Sequence, residues 1–224
     1  PTGTVRIEIA VKEEESEEFE EYLYASDEIL INNVIWISQF NSILQTYTPT
    51  DGSTCNFCTP PPCANTCCYK ACKYILEQIG VYINGQRIYI ADLINLNDLL
   101  DGITINSNLE KGIKIIENNI KPISQGGKPV IVGVYYKPDD SKIPINRYNG
   151  KNTATMHFVV IVGKGFDIAK HMEYFRFFDP GRSEEVNGTH IMNRLYIDKE
   201  NRKISGYSNN KTIEYIVTEI RINK

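Results

Sequence analysis

The chain has 224 residues, 42% hydrophobic and 23% charged, with a formal net charge of -4 at pH 7. That length can bury a full core, as one large domain or as one domain with an appendage. The acidic balance and the lack of a basic patch argue against a general nucleic-acid binder, and no apolar run approaches the length of a membrane span.

Residues Thr4 to Val11 alternate polar and apolar and read as a strand. The acidic run Lys12 to Glu21 that follows reads as a solvated linker. A boundary near residue 26 is expected, with 1–26 as N-terminal strand and linker and 27–224 as the main domain. The chain opens at Pro1 and shows no signal peptide. It is therefore expected to be a trimmed chain or a piece of a longer protein with an N-terminal module, and its location stays open, a secreted or periplasmic bacterial setting included. Asn33 to Asn41 reads as a short apolar strand that carries the only tryptophan, Trp36, and Gln39 near its end.

All six cysteines lie between Cys55 and Cys72, too local to staple a whole fold. Pro60, Pro61 and Pro62 exclude helix until they are passed. Beyond them Cys72, Ile75, Leu76 and Ile79 follow the i, i+3, i+4, i+7 spacing of a core-facing helix over about residues 67–79, closed by Gly80. Cys67 and Cys68 fall in its first turn, where unsatisfied N–H groups and the helix dipole favour a thiolate.

Val81 to Ile90 reads as a hairpin around Asn84-Gly85. Leu109, Ile113, Ile116 and Ile120 mark a second amphipathic helix. Lys128 to Tyr136 and Met156 to Gly163 are nearly continuous apolar strands, the second broken only by His157 at its start. Tyr174 to Gly181 is a further strand closed by a turn at Asp179, and Arg194 to Asp198 and Thr212 to Ile222 supply two more. Helices first and sequential strands after them predict an α+β fold with an antiparallel sheet.

A cysteine nucleophile needs a base, a group that orients the base, and a donor for the oxyanion. His157, one of three histidines, would be held at a strand edge close to the core. If its strand pairs antiparallel with the next, Asp179 lies beside it and can accept from the imidazole. Gln39 can aim its amide into the same space. Singly, each has a plainer reading: a structural histidine, a common Asp-Pro-Gly turn, a surface glutamine, cysteines that bind zinc or form disulfides. In this order along the chain they point together to a thiol hydrolase.

Trp36-Ile-Ser-Gln39, a cysteine opening a helix that ends at Gly80, Gly127-Lys-Pro-Val-Ile-Val132, His157 to Gly163 and Asp179-Pro-Gly181 together resemble the papain superfamily of cysteine peptidases. The branch most similar is the bacterial one of bacteriocin-leader (double-glycine) peptidases, and the resemblance covers about residues 33 to 181. It implies a central N-terminal helix that carries the nucleophile and packs against an antiparallel sheet carrying the histidine. It further implies a peptidase or amidase in which Cys68 attacks, His157 moves the proton, Asp179 orients His157 and Gln39 helps hold the oxyanion, with no cofactor and no metal. The usual Cys-Gly pair of the family is absent, and Cys67 competes with Cys68. Cys68 lies roughly 30° from the centre of the buried helical stripe and Cys67 roughly 130°, which favours Cys68 and keeps Cys67 in reserve.

A peptide or protein substrate is expected. The alternatives are a peptidoglycan-cleaving effector of the same superfamily and an inactive papain-like binding module with a structural cysteine cluster. In the latter, Cys55, Cys58, Cys63 and Cys67 would hold zinc or form disulfides.

Overall fold

The computed structural model describes residues 25–31, 33–50, 67–96, 99–136, 154–208 and 214–224. The expected strand at Thr4 to Val11, the acidic run, and Cys55, Cys58 and Cys63 lie outside the described residues. In chain order the elements are strand β1 (Ala25–Leu30), a one-turn helix α1 (Ile43–Thr46), helix α2 (Cys68–Glu77), strands β2 (Ile83–Tyr89), β3 (Ala91–Leu96) and β4 (Leu99–Ile105), and helix α3 (Leu109–Asn119). They continue with β5 (Val130–Tyr135), β6 (His157–Asp167), β7 (Met172–Phe178), a short helix α4 (Glu185–Gly188), β8 (Arg194–Asp198), β9 (Lys203–Tyr207) and β10 (Glu214–Asn223).

The α+β, papain-like arrangement around a central helix is overturned. The strands β6, β5, β10, β9, β8 and β7 pair in that order, and β7 pairs back onto β6, closing a six-stranded antiparallel barrel. The barrel, not a helix, is the centre of the molecule. The physical reason lies in the strands themselves. β5 and β6 are buried along almost their whole length, so both of their faces need cover, and closure supplies it on one side without leaving an open edge. β1 adds to the outer half of β6, and β2 adds to β10.

Alternation along β6 divides the two faces. Val159 and Ile161 point into the barrel with Val132, Phe175, Phe177 and Val217, and α3 covers this core with Ile113, Ile116 and Ile120. Phe158, Val160 and Val162 point outward, where α2 packs on them with Ala71, Cys72, Ile75 and Leu76. Burying an aliphatic side chain of this size contributes about 1.5–3 kcal/mol, so the α2 stripe is enough to hold one helix against the outside of the barrel.

Two local expectations fail for stated reasons. Residues 33–41 form no strand. Their contacts are made to a turn instead, with the Gln39 N–H on Pro180 O at 2.7 Å and the Trp36 indole on Asp179 O at 2.9 Å. Asn84-Gly85 does not turn a hairpin but lies inside β2, where Gly85 has φ 81° and Asn84 Oδ1 accepts from the Gln86 N–H at 2.8 Å. The register of β2 on β10 shifts there, so the dipeptide makes an irregularity within the strand. The hairpin is the next segment, β3 with β4.

Candidate active site

His157 opens β6 on the inward-facing parity and stands at the mouth of the barrel, opposite Val134 of β5. Asp179 follows the last residue of β7, the strand paired on the other side of β6. The antiparallel pairing thus brings the start of one strand beside the end of the other. His157 Nε2 and Asp179 Oδ1 are 2.8 Å apart, with the aspartate fully buried and the histidine side chain 11% exposed.

The Asp179 carboxylate is held by four donors. Gly181 N–H and the imidazole share Oδ1, the former at 2.8 Å. Arg182 Nε and the Tyr215 hydroxyl reach Oδ2 at 3.2 and 3.1 Å. Its carbonyl oxygen accepts from Trp36, and its own N–H donates to Gly188 O at 2.8 Å. Two glycines permit this packing. A Cβ on Gly181 would meet the His157 ring and Asp179 Oδ1 at 3.0 Å, and one on Gly188 would run into the Trp36 indole.

Cys68 is the first residue of α2 and is half-buried. Cys67 precedes it as the N-cap, its sulfur accepting from the Lys70 N–H at 3.4 Å. Cys67 is buried and disulfide-bonded, whereas Cys68 and Cys72 are free thiols. A sulfur held in a disulfide is no nucleophile. Cys72 is fully buried, and that burial, with the charges of Cys68 and Asp179, pushes its thiol well above the ordinary range. Of the described cysteines this leaves Cys68. Among the described residues no group of His, Cys, Asp and Glu is arranged to hold a metal ion.

Electrostatics couples the three. Burial alone would lower the His157 pKa, but the charges of Cys68 and Asp179 and hydrogen bonding to both raise it to about 10. Burial would raise the Asp179 carboxyl, yet His157, Arg182 and the Gly181 N–H hold it below the usual carboxylate range. Together these charges favour the imidazolium, with the Asp179 carboxylate against Nε2. With Nε2 committed to Asp179, Nδ1 is the nitrogen left for Cys68.

Gln39 is brought to this end of the barrel by its main-chain bond to Pro180, next to Asp179, and its side chain is half-buried. His171 and His190 are elsewhere. The first is exposed in the turn after β6, and the second accepts the Met192 N–H on Nδ1 at 3.1 Å. Sequence reasoning did not find Tyr215, Arg182 or Tyr136. The Tyr215 ring is tilted against its neighbours, its centroid 5.8 Å from that of His157 and 6.2 Å from that of Tyr136. Burial, and then the charge of Cys68, raises the Tyr136 phenol. Arg182, three residues past Asp179, had a usable local signal; the two tyrosines come from other strands and had none. Comparison with family models, curated proteins and solved structures returns no match.

Proposed function

We propose that the chain is a cysteine-dependent hydrolase, a peptidase or amidase, working through Cys68, His157 and Asp179. The observation that carries this reading is a single imidazole held on Nε2 by a buried carboxylate 2.8 Å away, with Cys68 close enough that its charge raises the ring's pKa. It rests on this geometry and not on a papain-like frame, which the barrel replaces.

In the proposed reaction the Cys68 sulfur, its proton held on His157, attacks the substrate carbonyl carbon and forms a C–S bond. The oxygen that gains the electron pair is met by the Cys68 N–H, which precedes the first intrahelical bond of α2 (Ala71 N–H to Cys67 O), and by the Gln39 amide. As the tetrahedral species collapses, the C–N bond breaks and His157 gives its proton to the leaving amine. Water then loses a proton to His157 and attacks the thioester, releasing the acid and the thiolate. Asp179 stays ionised throughout and keeps the ring oriented.

The test needs no prior substrate. Iodoacetamide labelling with peptide mapping is expected to place the first adduct on Cys68, and His157→Ala is expected to slow it. Turnover of fluorogenic peptide libraries and of purified sacculi, the second covering peptidoglycan cross-links, is expected to vanish in Cys68→Ala and His157→Ala together, since members of such a unit fail as one. Activity that survives Cys68→Ala overturns the reading.

A further inference from the structure

Outside the catalytic groups a concentration of buried charge lies on β10 beside the start of α2. Arg221 Nε is 2.7 Å from Glu219 Oε1, with side chains 7% and 0% exposed. The guanidinium lies 4.7 Å from the Tyr69 ring and 5.3 Å from the Phe158 ring, and those two rings are 4.7 Å apart. Lys73, also buried, places Nζ 4.9 Å from the Tyr69 ring. The Glu219 carboxyl is raised by burial and pulled back by Arg221 and Arg87. Thr155 also lowers it, and the Thr155 hydroxyl lies 2.8 Å from that of Thr218. The phenol of Tyr89 feels the same carboxylate.

The positions of these contacts along the chain matter more than their number. Tyr69 directly follows Cys68. Phe158 directly follows His157, and Thr155 precedes it by two residues. One ion pair on a third element therefore touches the neighbours of both partners. Stability is a weak reason to keep it, because replacing a buried ion pair by apolar groups of similar volume is often neutral or stabilising. A guanidinium on two rings, by contrast, fixes relative placement through a flat, directional contact.

We propose that the Glu219–Arg221 pair is a positioning device that holds the start of α2 and the start of β6 in register, so that Cys68 and His157 keep their working separation. This rests on the reading of those two residues as the reacting pair. Neither Glu219 nor Arg221 touches the substrate in this scheme; both act through Tyr69, Phe158 and Thr155.

The experiment uses the full chain with iodoacetamide as probe. It compares wild type, the double variant Glu219→Gln with Arg221→Met, and Arg221→Lys, which keeps the charge and loses the flat stack. Circular dichroism and a denaturation curve establish folding, and histidine NMR follows the titration of His157. The folded double variant is expected to label Cys68 about 10 to 100 times more slowly, in line with the cost of a displacement on the order of 1 Å at a reacting centre. Its His157 is expected to titrate below the wild-type value of about 10. Arg221→Lys is expected to show the same changes in smaller measure, and it carries the test if the double variant does not fold. A folded variant with unchanged labelling rate and unchanged His157 titration overturns the proposal. Wild-type protein in which Cys68 is not the preferred site defeats the thiol–imidazole reading itself, a separate result.

Discussion

The hydrogen-bond pattern at Asp179 decides what residue 179 has to be. Each oxygen faces two donors, Gly181 N–H and His157 on Oδ1 and Arg182 Nε and Tyr215 O–H on Oδ2. An asparagine would set its NH2 against one of those pairs, and neither a backbone N–H nor a guanidinium can become an acceptor. Asp179→Asn is therefore expected to cost about as much labelling and turnover as Asp179→Ala, although an asparagine can in general orient an imidazole. A variant within severalfold of wild type would show that the Tyr215 hydroxyl and a flipped His157 ring accommodate the amide. Gly181→Ala tests the same shell from another side. Its methyl would press on the ring at 3.0 Å, so a lower Cys68 labelling rate in a folded protein is the expected outcome.

At the scale of elements, α2 is held at both ends of its function. Its stripe of Ala71, Cys72, Ile75 and Leu76 lies on Phe158, Val160 and Val162, and its cap is a disulfide-bonded cysteine. Ile75→Ala is expected to destabilise the fold by about 2–5 kcal/mol, as for other fully buried aliphatic deletions, read from the denaturation midpoint. Cys67→Ala removes both the cap and the disulfide. It is expected to lose stability of roughly 2–5 kcal/mol while Cys68 remains the labelled residue. Labelling that moves to another cysteine in that variant would contradict the assignment. The segment 33–41 has a different kind of anchor. Its contacts converge on one turn through Trp36 and Gln39, so it serves as a brace for Asp179 and not as part of the sheet.

For the whole molecule, pH acts through the coupled groups, and their signs differ. His157 is raised from 6.5 to about 10 on folding. Its stabilisation is complete below about pH 6.5 and is lost as pH climbs through about 10. Asp179 is depressed, so its contribution is complete above the ordinary carboxylate value of about 3.9 and is lost as pH falls below it. The two windows overlap between about pH 4 and 6.5. The stability difference between wild type and His157→Ala is expected to be largest there and to shrink steadily toward pH 10, by denaturant titration at several pH values. Because the charge on Cys68 is one cause of the His157 shift, Cys68→Ala is expected to bring the His157 titration down in the NMR experiment and to flatten that profile. A difference constant up to pH 10 would mean that His157 is not held as a cation.

The sequence alone determined what local periodicity and capping control. The helix from Cys68, the helix over Leu109 to Asn119, and the strands of β5, β6, β7, β8 and β10 were readable because apolar spacing repeats within a few residues. So was the order of cysteine at a helix start, histidine opening one strand and aspartate closing the next. Closure of the barrel was not readable. β6 bonds to β5, β7 and β1, and β10 to β5, β9 and β2, and no repeat within a strand says which partners it takes. Asn84-Gly85 and residues 33–41 carried good local signals that the tertiary structure overrode, since β10 pairs through the first and the Asp179 turn claims the second. The supports of the site were equally hidden. Tyr215 meets Asp179 across 36 residues and Trp36 meets it across 143, contacts made when the barrel mouth forms and by nothing nearer in the chain.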